Sequence, residues 1–358
     1  GAAPRVGGAP AVRYAPPRDA AVGAVLGAAA TAAIPFTSGA AGLAVSLSVA
    51  AAAGAALGGM PILLAAVAAR VPAERRGVAS GVVGAGGPVG QLVFAPAVQA
   101  TIAAAGWAAA MFGLAALSLA ALPLARAFRR PDPAPAAAVA AAPHAPNARG
   151  ALREAFASPS YWCVTAAFFV CGFHVTFLTT HMPGAIELCG LPAGLSGASI
   201  ALMGLFNIVG SIAAGAAIQR VPMKLTLSAL YGLRGLGVAA FLIAPKTEAV
   251  VLGFSVWMGL TYMATLPPTA GLIGKLFGQS NLGLLLGLTF FVHQLGAFLG
   301  AWLGGVAVEA TGSYDALWYA DIALAVCAAL IPLAVHEGAR AAPAPRPLVV
   351  GALAPARG

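Results

Sequence analysis

An all-α, polytopic membrane bundle is the fold class this sequence predicts, and three observations predict it. Of its 358 residues, 60% are hydrophobic and only 8% are charged, against roughly 25% charged in soluble domains. Apolar runs near or beyond the roughly 20 residues that cross a bilayer core recur along the whole chain. Lys and Arg gather in every second connection between those runs, the pattern by which membrane topology is set. The net charge of +9 is therefore distributed as topology, not as a patch for nucleic acid, and an ordinary soluble protein is excluded.

Taken in order, residues 1–19 are rich in Gly, Pro and Arg and lack an apolar stretch of signal-peptide type. They read as a loop entering the first span, and the chain is expected to continue upstream of Gly1. Spans follow at 20–36, 43–69, 78–103 and 107–125, so residues 1–130 are expected to form an incomplete N-terminal bundle of four helices. Residues 131–159 carry Pro133, Pro135, Pro143 and Pro146 among alanines. Proline removes a backbone donor and resists helix, so this stretch reads as a linker. Six further spans, 162–182, 196–218, 225–244, 249–273, 282–308 and 317–335, make a second bundle over 160–338, and a tail covers 339–358.

The basic connections contain Arg70, Arg75 and Arg76; Arg126, Arg129, Arg130, Arg149 and Arg153; Arg220 and Lys224; Lys275; and, in the tail, Arg340, Arg346 and Arg357. Connections 184–192 and 309–315 have none, and Lys246 is the exception. The positive-inside rule puts the basic set and the C-terminus in the cytoplasm, as expected for a protein of a bacterial inner membrane.

Adding 206 to the residue number maps Pro16 onto Pro222, Arg18 onto Lys224, Pro61 onto Pro267, Gly77 onto Gly283, Gly81 onto Gly287 and Gly90 onto Gly296. Six matches at one offset, in the same span order, indicate two copies of one unit in parallel orientation. The second copy has six spans and the first four, so two more are expected ahead of the first.

The loop from Gly215 through Gln219, Arg220 and Pro222 to Lys224 resembles the signature between the second and third helices of each half of the major facilitator superfamily, with Gln219 where an acid is usual and Pro222 where a glycine is usual. A weaker copy runs from Arg13 to Arg18. The stretch Val71 to Gly77, continued through Gly84 to Gln91, and the stretch Gly283 to Gly305 resemble members of monocarboxylate-porter and oxalate:formate-antiporter type. The resemblance implies twelve helices in two six-helix bundles, of which the third to twelfth lie here. It also implies secondary transport of a small organic anion, such as a monocarboxylate, by alternating access. That chemistry needs no cofactor and makes the chain no enzyme; the expected partners are the solute, an organic anion with a proton, and the lipid bilayer, with the chain a monomer.

Polar groups inside a bilayer are expensive, so each invites a functional reading. The candidates for substrate binding or proton coupling are His174, Asn207, Arg234, Tyr262, His293 and Gln294. His174 lies in the span that the resemblance makes the seventh helix, which lines the cavity. Asn207 shares a face with Met203 and Ser211, and its alternative is a bond to a neighbouring helix. Arg234 lies ten residues beyond Lys224, about 15 Å deep by helical rise. An organic anion would suit it, and so would a partner within the protein. Tyr262 precedes Pro267 and Pro268, which can bend the helix for gating or fix a static kink. His293 and Gln294 form the polar pair of span 282–308, where Gly296, Gly300 and Gly304 make a smooth stripe for helix approach. Asp321, at the outer third of the last span, is expected to be peripheral and structural, His181, near the outer end of its span, to be in contact with water, and Cys163, Cys171, Cys189 and Cys327 to be small core residues. No phosphate loop, H-E-x-x-H or G-x-S-x-G is present. Two further functional classes stay open: an efflux antiporter for hydrophobic compounds, and a non-transporting membrane protein or remnant.

Overall fold

A computed structural model describes residues 16–57, 86–125 and 148–338. Every described element is helical. In chain order they are α1 (Pro16–Ala33), α2 (Gly39–Leu57), α3 (Gly86–Ala125), α4 (Ala148–Phe156), α5 (Pro159–Leu188), α6 (Gly194–Ala217), α7 (Met223–Ile243), α8 (Glu248–Thr261), α9 (Leu266–Phe277), α10 (Gln279–Thr311) and α11 (Asp315–Leu330). Short 3-10 turns follow α1 and α11. Seven described helical stretches are long and apolar enough to cross a bilayer, and two shorter apolar helices precede them. Their outward faces carry Leu236, Ile243, Phe291, Phe298, Trp302 and Leu330, all exposed. A surface so apolar is soluble only in lipid, and the protein is an integral membrane protein.

Two interruptions divide the helices where the sequence requires it. Gly106 breaks α3 with φ 82° and ψ 167°, a backbone state that glycine enters without steric cost, and it falls between the expected spans 78–103 and 107–125. The expected span 249–273 is split into α8 and α9 across Tyr262 to Thr265. Pro267 and Pro268, at the start of α9, have no N–H to continue the ladder. Residues 148–156, inside the expected linker, form α4. They contain no proline, and Ala151 and Ala155 are buried on one face. Much of spans 43–69 and 78–103, the linker up to residue 147, the tail from 339, and the motif residues Val71 to Gly84 lie outside the described residues. So do Pro61, Gly77 and Gly81 of the repeat.

The glycine stripe of α10 is a helix seam. A Cβ added at Gly296 would collide with the carbonyl oxygen of Phe169, one at Gly300 with that of Phe173, and one at Gly304 with the His181 ring. On the other side of the seam, Gly172 of α5 lies against the His293 carbonyl. Only backbones stripped of side chains approach this closely, and in lipid such packing holds helices together. His181 closes the seam by bonding the Ala301 carbonyl at 2.8 Å. Similar close approaches set Gly210 of α6 against Leu260 of α8, Gly259 of α8 against Met203 of α6, and Gly204 of α6 against Pro88 and Gln91 of α3.

Two of the basic connections, those of Lys224 and Lys275, meet at one end. Glu337 accepts from the Lys224 backbone N–H at 2.5 Å and faces Lys275 Nζ at 3.5 Å. The exceptional Lys246 has a local reason at the other end: its Nζ donates to the carbonyls of Phe241, Leu242 and Ala244 at 2.8–3.0 Å, capping the C-terminus of α7.

Candidate functional site

Between the two ends the core has three layers. One apolar cluster gathers Phe177, Phe241, Phe254 and Trp318, and another gathers Tyr161, Leu227, Leu272 and Phe277. The residues that lie between them along α5, α7, α10 and α11 are polar: His174, Arg234, His293 and Asp321, all buried.

Arg234 anchors this layer. The buried face of α7 reads Leu227, Tyr231, Arg234, Val238 and Phe241, a three-and-four spacing that puts the guanidinium on the inward side. Its Nη2 donates to the Thr261 carbonyl and, at 2.6 Å, to the Tyr262 carbonyl. These carbonyls sit at the break between α8 and α9, so the charge stabilises irregular backbone in the bilayer core. The guanidinium also lies 5.3 Å from the centre of the Tyr231 ring, close enough for a cation–π contact. Its Nε and Nη1 have no hydrogen-bond partner.

His174 and Asp321 form the second part. Nε2 of His174 is 3.3 Å from Oδ1 of Asp321, and both side chains are 0% exposed. The distance is that of an ion pair, but the groups are not aligned as a hydrogen bond, and neither carboxylate oxygen nor the His174 Nδ1 has such a partner. Cys171, one turn before His174, lies 3.3 Å from Thr265 Oγ1 and faces His293. The His293 ring packs on Phe168, with centroids 4.6 Å apart, and its Nδ1 meets Gln294 Oε1 at 3.0 Å.

The sequence candidates therefore divide. His174, Arg234 and His293 fall in one buried layer. Tyr262 borders it, with its hydroxyl donating to the Val175 carbonyl at 3.0 Å and with Gln91 of α3 facing it. Gln294 is exposed on the outer side of α10. Asn207 ties helices: its Oδ1 accepts from the Met263 N–H at 3.1 Å and from Ser211 at 3.4 Å. This satisfies a donor freed by the break. Replacing Asn207 with Leu leaves that N–H unmet, and a loss of about 1–3 kcal/mol is expected, read as a lower thermal midpoint of the purified protein.

Two expectations need correction. Asp321 is not peripheral: it is fully buried and faces His174 across helices. Of the four cysteines only Cys171 is a buried core residue; Cys163 is half-buried, and Cys189 and Cys327 are exposed. The signal that would have found Asp321 was its isolation, as the one acid within an apolar run, since a lone intramembrane charge calls for a partner. A groove of about 360 Å³ between α7 and α8, lined by Leu236, Phe241, Phe254 and Trp257, lies away from this layer. So does a groove of about 300 Å³ near Lys246 and Tyr314.

A helix broken at mid-depth, with an arginine on the freed carbonyls and a buried acid nearby, is an arrangement found in membrane solute carriers. The Major Facilitator Superfamily profile matches residues 6–301, and the chain belongs to that superfamily of transporters. An uncharacterized MFS-type transporter of Bacillus subtilis (strain 168), YcxA, is 28% identical over 151 residues, 41% of this chain and 36% of that relative. The match thus spans about a third of the relative's length. Among solved structures, a D-xylose–proton symporter superposes with a TM-score of 0.65 at 15% identity, covering 90% of this chain and 82% of the other. A bacterial homologue of the human lysosomal transporter Spinster, in an inward-facing and occupied conformation, gives a TM-score of 0.60 at 12% identity, covering 88% and 79%. At such identities the likeness is one of fold.

Proposed function

We propose that this transporter carries a small organic anion, such as a monocarboxylate, by alternating access, driven by an ion or solute gradient. The observation that carries this reading is Arg234, a guanidinium in the middle layer with two of its nitrogens, Nε and Nη1, unpartnered. Such a group in a low-dielectric layer favours a carboxylate strongly, and its planar donors match one. His174 and His293 supply further donors in the same layer, and Tyr262, Asn207 and Gln294 border the break and the outer face of α10. The domain reading goes with it: residues 1–130 and 160–338 rock as two bundles around this layer, joined by 131–159, with the basic ends and the tail 339–358 cytoplasmic in a bacterial inner membrane. The chain acts as a monomer. The D-xylose–proton symporter resembled in fold couples its solute to protons, which supports a gradient-driven mechanism here.

The test is counterflow in proteoliposomes loaded with lactate, formate, oxalate or D-xylose, each offered against the same labelled solute. Exchange of one of the anions and none of xylose is the expected result. Exchange confined to the sugar overturns the anion reading. A second reading, efflux of hydrophobic compounds, is favoured by the lack of any Lys or Arg in span 196–218; there, extrusion of a lipophilic dye would replace anion exchange.

A further inference from the structure

The anion reading gives Arg234 a task and leaves the pair beside it without one. We propose that His174 and Asp321 form the proton-binding site of this carrier, the pair taking up one proton and thereby leaving the Arg234 charge to be balanced by the anion. This rests on the function proposed above.

The argument begins with hydrogen bonding. A static buried ion pair persists when its remaining lone pairs and protons are satisfied. Here both Asp321 oxygens and His174 Nδ1 lack a hydrogen-bond partner, as do Arg234 Nε and Nη1, although all three side chains are 0% exposed. The layer is one site split among three helices and held incompletely paired.

Charge makes the coupling. The charged group facing the pair is Arg234 from α7; Cys171 from α5, Tyr231 from α7, Tyr262 at the α8–α9 break and His293 from α10 face Arg234 in turn, and α11 contributes Asp321 itself. Of these, Arg234 is the permanent charge, and its field reaches Asp321. With Asp321 ionised and His174, His293 and Cys171 neutral, the layer sums to zero. A proton taken from water on the open side bonds to the pair, and the layer becomes +1. An uncompensated buried charge costs several kcal/mol, so an anion entering beside Arg234 restores neutrality. Proton and anion then leave together on the other side. One proton moves per monovalent anion, and no electron changes hands.

The experiment uses the full chain reconstituted in liposomes, with two readouts. The first is an infrared pH titration without substrate. The expected result is a carboxylic-acid C=O band that titrates in the unaltered protein and is missing in Asp321→Asn; an identical band in that variant overturns the proposal. The second is lactate accumulation under an imposed gradient. At one proton per anion, a gradient of one pH unit supports about tenfold accumulation, and Asp321→Asn is expected to respond to the gradient not at all. Full gradient-driven accumulation in Asp321→Asn also overturns the proposal. If that variant fails to fold, His174→Gln carries the test. It keeps the carboxylate, and its band should titrate about one pH unit or more away from that of the unaltered protein; an unmoved band overturns the pairing. Absence of any anion exchange by the unaltered protein refutes the function proposed above, while the infrared band still decides the proton site.

Discussion

Arg234→Gln is expected to abolish anion uptake and to lower the stability of the purified protein by about 3–5 kcal/mol, the range seen when one partner of a buried charge pair is removed. The size follows from what the guanidinium does. It is fully buried, its Nη2 bridges the carbonyls of Thr261 and Tyr262 across the break in the α8–α9 span, and its charge compensates Asp321. Glutamine can still donate to one carbonyl but supplies no charge. The decisive comparison is the double variant Arg234→Gln with Asp321→Asn. With both charges gone, most of the lost stability should return while uptake stays absent, because an uncharged amide at either position supplies no positive charge for the anion. Thermal unfolding followed by tryptophan fluorescence measures the stability, and counterflow measures uptake. Equal instability of the single and double variants would show that Arg234 acts through the carbonyls alone. Arg234→Lys should lie between them: the charge is retained, but a point ammonium does not reproduce the planar fork.

The sequence made some of this site legible and hid the rest for a physical reason. Gly296, Gly300 and Gly304 recur at four-residue spacing, a signal that survives in lipid because absent side chains mean close approach. The break at Tyr262 was legible because Pro267 and Pro268 cannot donate. What failed was direction. In water, the hydrophobic face of a helix points inward, and periodicity tells which residues are buried. In a bilayer both faces are apolar: α10 turns Leu285 to the core and Phe291, Phe298 and Trp302 outward, and no hydropathy rule separates them. Arg234 could therefore be assigned a depth from its distance to Lys224 but not a neighbour. Asp321 and His174 stand in different spans, and their meeting depends on how α11 packs against α5, which is a property of the whole bundle. Cys171 reads as one more small apolar residue until Thr265 and His293 are placed beside it.

The same logic makes the seam the most sensitive packing position outside the polar layer. At Gly300 a new Cβ meets the Phe173 carbonyl oxygen and, at 3.1 Å, its carbon. These are backbone atoms inside a regular helix, so they cannot swing aside as a side-chain tip would. Gly300→Val must push α10 away from α5, and overpacking of this kind costs about 1–3 kcal/mol. The displacement also pulls on the His181 bond to Ala301 and on the packing of His293 against Phe168, so uptake should fall together with stability. Gly287, on the opposite side of the same helix, has no described atom within 4 Å of the position a Cβ would take. Gly287→Ala should be tolerated, and the better helix propensity of alanine favours the folded state by up to about 1 kcal/mol. Comparing the two variants by thermal midpoint in the same detergent separates steric conflict from a general intolerance of altered glycines. Equal destabilisation of both would mean that α10 needs flexibility along its length. A loss at Gly300 alone identifies the α5–α10 contact as the surface that keeps His174 and His293 in one layer.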